Sequence, residues 1–179
     1  MSRVTQVSPE NAKNDVKSIY DNIKKNMGGK VPNIFQHMGN SPAVLKGFFG
    51  LSDAVGQTSL SPQIRSQIAL AVAQANNCQY CLSAHTMIAG KEGLQSQQII
   101  QARKGDATDS KTQAILRFAK LVVEKRGKVT DQDVTALKAA GVNDTEIVEI
   151  ILVVSLNMFT NYFNHIVDTA VDFPEAPKI

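Results

Sequence analysis

The chain has 179 residues, 43% hydrophobic and 20% charged, with a net charge of +3. This describes an ordinary globular protein, here expected to form one domain over 1–179, and the scattered basic residues and missing Trp offer no platform for nucleic acid. The N-terminus has no apolar signal core, and the most apolar run, Ile150 to Leu156, is far short of the ~20 residues of a spanning helix, so a cytoplasmic protein without a membrane partner is expected.

Helix-start signals recur along the chain and strand signals are nearly absent, so the expected fold class is all-α, a single-domain helical bundle. Ser8-Pro9 predicts a helix to about Met27, with Val16, Ile19, Tyr20 and Ile23 on its apolar face. Val31 to Phe35 predicts a turn leading into a short helix that ends near Gly39, and His37 reads as a surface or turn residue. Ser41-Pro42 and Ser61-Pro62 each place a Ser N-cap before a Pro at the first helical position. Asparagine is a favoured cap, so Asn76-Asn77 predicts a new helix that runs to about Gly90. Further helices are expected from Gln95 to Lys104, from Ser110 to Lys125 and from Thr130 to Ala140, each followed by a glycine. Asn143 with Glu146 resembles a capping box and opens the longest helix, to about Ala170. The tail from Asp172, with Pro174 and Pro177, is not expected to be helical throughout.

The last helix is apolar on nearly every side from Ile147 to Phe159, which predicts a central or interfacial position. Asn157, Asn161, His165 and Asp168 then make one polar stripe. Such a stripe is a hydrogen-bonded packing network, an exposed face, or the wall of a polar pocket, since an unpaired buried polar group costs ~1–3 kcal/mol.

Both cysteines lie in the stretch Cys78-Gln79-Tyr80-Cys81-Leu82-Ser83-Ala84-His85. On a helix, positions 78, 81 and 85 share a face, and Cys81 and His85 are one turn apart. A dithiol at a helix start beside an imidazole has what redox catalysis needs: a low-pKa thiolate, a second thiol to resolve the product, and a base. Two other readings stand beside it. One is a structural zinc site, for which Cys78, Cys81 and His85 supply three of four ligands. The other is a pair of inert core cysteines. Haem attachment is excluded because Leu82, not His, follows the second cysteine. No organic cofactor is expected, because neither common glycine-rich phosphate loop is present.

Leu60 to Ala73, running into Asn77-Cys78-Gln79-Tyr80-Cys81 and His85, resembles the carboxymuconolactone decarboxylase / alkylhydroperoxidase D superfamily, in particular its peroxidase-related CxxCxxxH branch. Gly29 to Phe35, Ala140 to Ile147, Asn161 to His165 and Val171 to Pro174 carry the resemblance over nearly the whole chain. The resemblance implies an all-helical fold, trimers or hexamers, and peroxidase or disulfide-exchange activity. The substrate would be a small hydroperoxide or a disulfide, with an external dithiol as reductant. It assigns attack to Cys81, resolution to Cys78 and proton transfer to His85. Two positions depart from the family pattern. Ser66 stands where the family has its relay carboxylate, and Tyr80 stands where a second histidine is common. The stripe with His165 and Asp168 is the expected replacement, within or across subunits. A non-enzymatic redox sensor and a lactone-decarboxylase-type lyase are the rival functions.

Overall fold

A computed structural model describes residues 2–179. Every regular element among them is a helix: α1 (Asn14–Asn26), α2 (Asn33–Met38), α3 (Pro42–Gly56), α4 (Pro62–Ala75), α5 (Gln79–Lys91), α6 (Ser96–Lys104), α7 (Ser110–Glu124), α8 (Asp131–Ala139) and α9 (Asp144–Val167). The capping chemistry is as the sequence leads one to expect. Ser41 and Ser61 accept from the backbone N–H groups of Val44 and Ile64, each with Pro at the first helical turn. Asn143 and Glu146 form a reciprocal capping box.

Helix α4 is the pillar of the fold. Its residues Ser66–Ala73 are all buried, and it packs against α5, α6, α7 and α9. Small and branched side chains alternate along it, so neighbouring helices approach on several sides. One apolar cluster fills the space between α4, α6, α7 and α9, with Leu70, Leu116 and Ile150 wholly enclosed. A second joins α1, α2 and α3 to the start of α5 through Tyr20, Met38 and Leu45, and it contains both cysteines. Helix α9, at 24 residues, is long and apolar enough to cross a membrane by length and composition, although half of its most apolar window is buried inside the fold. The short run Ile150 to Leu156 understated it.

Four expectations need correction. Ser8-Pro9 makes a turn and not a helix start, with Asn11 N–H donating to Ser8 O at 3.0 Å. The chain before α1 is instead held across the protein: Val7 N–H bonds the Gln36 carbonyl and the Tyr20 hydroxyl bonds the Val7 carbonyl. His37 is 2% exposed, in α2 of the second cluster, and burial lowers its pKa against the Val4 and Thr5 carbonyls, which favour the charged ring. Helix α9 stops at Val167, because Asp168 turns left-handed at φ 58°. Finally, Asn76 closes α4 and does not open α5.

The Tyr20 ring is wedged against Gly39, where a Cβ would meet its hydroxyl. Gly39→Ala is therefore expected to destabilise the protein by about 1–3 kcal/mol through overpacking. Gly47→Ala, in the interior of α3 with open space around it, is expected to stabilise by about 0.5–1 kcal/mol. Urea denaturation of the two variants checks both signs.

Candidate active site

The site begins at the junction of α4 and α5. Asn76 ends α4, Asn77 adopts φ 53°, a left-handed turn that asparagine tolerates, and Cys78 returns to extended backbone. Cys78 is thus the N-cap of α5, and its sulfur accepts from the Cys81 N–H at 3.3 Å. Only Cys81 lies within the helix, in its first turn, where free N–H groups and the positive end of the dipole gather. The two are joined as a disulfide, with Cα atoms 5.3 Å apart. That separation sits well within the range a disulfide requires.

Both sulfurs are buried, with each cysteine 2% exposed. They differ in what they face. Cys81 lines a cavity of about 360 Å³ together with Ser66, Tyr80 and His85, whereas Cys78 lies behind its wall. The rest of the wall is mainly apolar, including Phe35, Phe48 and Phe173. His85, half-buried, has its pKa pushed down to about 4 by burial, with the Asn157 side chain partly offsetting the shift. Near neutral pH its imidazole is therefore uncharged and able to accept a proton. Tyr80 accepts from the Ile34 N–H at 3.3 Å and stacks edge-on with Phe173, and burial raises its hydroxyl pKa further above the ordinary value. It ties α5 to the start of α2.

The polar face of α9 is shifted from the predicted stripe. Asn157, Asn161 and Asn164 are buried, and Asn164 Nδ2 donates to Cys81 Sγ at 3.3 Å. His165 and Asp168 are exposed and line no part of the cavity within this chain. The His165 ring bonds the Asn76 carbonyl at 2.9 Å, and Asp168 caps the helix. The i, i+4, i+7 spacing of the three asparagines was readable, but the exposed i+8 histidine drew the stripe onto the wrong side. The tail was missed as well. It lies along α5, where Ala176 N–H donates to Ser83 Oγ at 3.1 Å and Gln79 Nε2 bonds the Ala176 carbonyl. Among the described residues no three His, Cys, Asp or Glu side chains are grouped to hold a metal ion.

The all-helical fold, with its buried cysteine pair beside a cavity, is of the alkylhydroperoxidase D-like type. Residues 42–125 match the model of the carboxymuconolactone decarboxylase family. Over that stretch, which holds both cysteines and His85, the chain is similar to that family. No curated protein matches it. Among solved structures it is similar to the alkylhydroperoxidase AhpD core of an uncharacterized peroxidase-related protein from Ralstonia eutropha JMP134, at 23% identity and TM-score 0.83, over 96% of this chain and 92% of that one. A second peroxidase-related protein, from Silicibacter sp. TM1040, matches at 21% identity and TM-score 0.81, over 89% and 85%. A variant of the debrominase Bmp8 in complex with 2,3,4-tribromopyrrole matches at 19% identity and TM-score 0.81, over 96% and 92%. At these identities the likeness is one of fold.

Because His85 is held uncharged in the fold, with a pKa near 4 against ~6.5 unfolded, it contributes stability that is present above about pH 6.5 and lost as pH falls through about 4. His85→Asn is expected to flatten the fall of unfolding free energy across that window. Some slope should remain from His37, which shifts in the same direction. Urea titrations at stepped pH measure it.

Proposed function

We infer that the chain is a thiol-dependent oxidoreductase, peroxidase-like, that cycles its Cys78–Cys81 pair between dithiol and disulfide. One observation carries the reading: a bonded cysteine pair at a helix start, with the second sulfur on the wall of a mainly apolar cavity and an uncharged imidazole on the same wall. In this reading His85 takes the proton of the Cys81 thiol. The thiolate attacks the terminal peroxide oxygen, the O–O bond breaks, and the alcohol leaves with a proton. Cys81 is now a sulfenic acid. Cys78 attacks its sulfur, expels water and closes the disulfide. An external dithiol restores the pair, which suits a reducing, cytoplasmic setting.

The superfamily holds peroxidase-related, decarboxylase and debrominase members. The apolar cavity supports a second reading, in which the dithiol's two electrons and a proton remove halide from a small halogenated aromatic. A lyase would need neither cysteine, and a sensor would be oxidised once per subunit. Assembly with further copies belongs to the proposal. The exposed Val148, Ile151, Phe159, Tyr162 and Ile166 of α9 favour burial against another chain.

Peroxide consumption with excess dithiol tests the reading. Cys81→Ser is expected to fall to background. Cys78→Ser should give about one equivalent and stop unless the external thiol resolves it. His85→Gln should lose about 100-fold in kcat/KM. Activity that survives the loss of both cysteines would overturn it.

A further inference from the structure

The three buried asparagines of α9 use their amides differently. Asn157 turns Nδ2 back to the Val153 carbonyl at 2.8 Å, and Asn161 Oδ1 accepts from Asn76 Nδ2 at 3.0 Å. Asn164 directs Nδ2 to Cys81 Sγ at 3.3 Å. A disulfide sulfur carries no proton and only accepts, so the amide nitrogen is the atom that faces it. Asn164 is 5% exposed and stands on the cavity wall with Cys81 and His85. Its Oδ1 is buried, with no hydrogen-bond partner among the described residues.

A buried amide oxygen left without a donor is costly, and such groups are kept where they serve chemistry. The backbone around Asn164 is firmly held. Its carbonyl accepts from the Asp168 and Thr169 N–H groups, and the neighbouring His165 ring bonds the Asn76 carbonyl. The amide is thus aimed at the sulfur before any reaction begins. A disulfide sulfur is a weak acceptor and a thiolate a strong one, so this bond gains strength when Cys81 ionises. Cys78 has its own donor, the Cys81 N–H at 3.3 Å. Without Asn164 the helix cap would leave Cys78, behind the wall, as the better-held thiolate. Besides Cys81, the charged or titratable side chains on the wall are Arg65, Tyr80, His85 and Glu92, and Arg65 Nη1 is turned to the Leu60 carbonyl. His85, with its pKa pushed down to about 4, is a weak proton acceptor, so proton transfer from Cys81 needs a stabilised sulfur anion.

We propose that Asn164 is a catalytic residue: its Nδ2–H holds the Cys81 thiolate and makes Cys81, not Cys78, the attacking sulfur. When His85 takes the Cys81 proton, the sulfur keeps the electron pair of the S–H bond and accepts from Nδ2–H. The sulfur attacks the terminal oxygen of a hydroperoxide, and the O–O bond breaks. The departing alkoxide takes the proton from His85 and leaves as the alcohol, with Cys81 oxidised to the sulfenic acid. The inference rests on the dithiol reading.

Alkylation of the reduced protein by iodoacetamide, with each cysteine mapped by mass, tests it. The quantity read is the rate near neutral pH divided by the rate on the alkaline plateau, so a change in access alone cancels. Asn164→Leu is expected to lower that ratio about tenfold at Cys81 and to leave it unchanged at Cys78. Asn164→Ala, which adds no bulk, should do the same. Where peroxide is turned over, kcat/KM of Asn164→Leu should fall about tenfold near neutral pH, the loss closing as pH rises and Cys81 ionises unaided. A Cys81 ratio unmoved in both variants overturns the proposal, as does an equal fall at both cysteines or a loss of turnover of one size at every pH. The alkylation needs no peroxide, so a wild-type protein inert toward peroxide would remove the peroxidase reading and leave the alkylation ratios to decide this one.

Discussion

The site depends on how the chain gets from α4 into α5. Two helices meet there with only Asn76, Asn77 and Cys78 between them. The left-handed Asn77 lets the backbone reverse, and Cys78 then caps the new helix with a sulfur where most helices use an oxygen. The same residue therefore ends a structural problem, the unpartnered N–H of Cys81, and places its sulfur against that of Cys81. The disulfide is thus built onto a helix cap.

Around that cap the protein sorts its two sulfurs by environment. Cys78 is packed behind the wall, and Cys81 faces the cavity with Asn164 donating to it from α9. An N–H donor stabilises a thiolate, as does the first turn of a helix. The contest between helix dipole and histidine, open in the sequence, is divided by position: the cap favours Cys78, whose sulfur accepts the Cys81 N–H, whereas Cys81 shares the cavity wall with His85 and accepts from Asn164.

Much of the fold was legible because it is written in local chemistry. Ser-Pro pairs start α3 and α4, glycines follow α6 and α7, and Asn143 with Glu146 starts α9. The failures came where distant segments compete for the same groups. Ser8-Pro9 lost its helix because Val7 and Tyr20 bond across to α2 and the chain before α1. His37 looked like a surface residue because nothing local reveals that the N-terminal arm covers it. In the site, Cys81 and His85 were readable from spacing on one helix. Asn164 and Phe173 were not, since they reach Cys81 and Tyr80 from far along the chain.

The C-terminal tail has its own implication. Asp172 bonds the Asn33 N–H, Phe173 leans on Tyr80, Ala176 is held by Ser83 and the Pro177 carbonyl by Arg103. This irregular segment is a strap drawn over the helix that holds Cys81, buckled at four points to α2, α5 and α6. Any shift of α5 therefore pulls on α2 and α6 as well, through a segment that is itself neither helix nor strand.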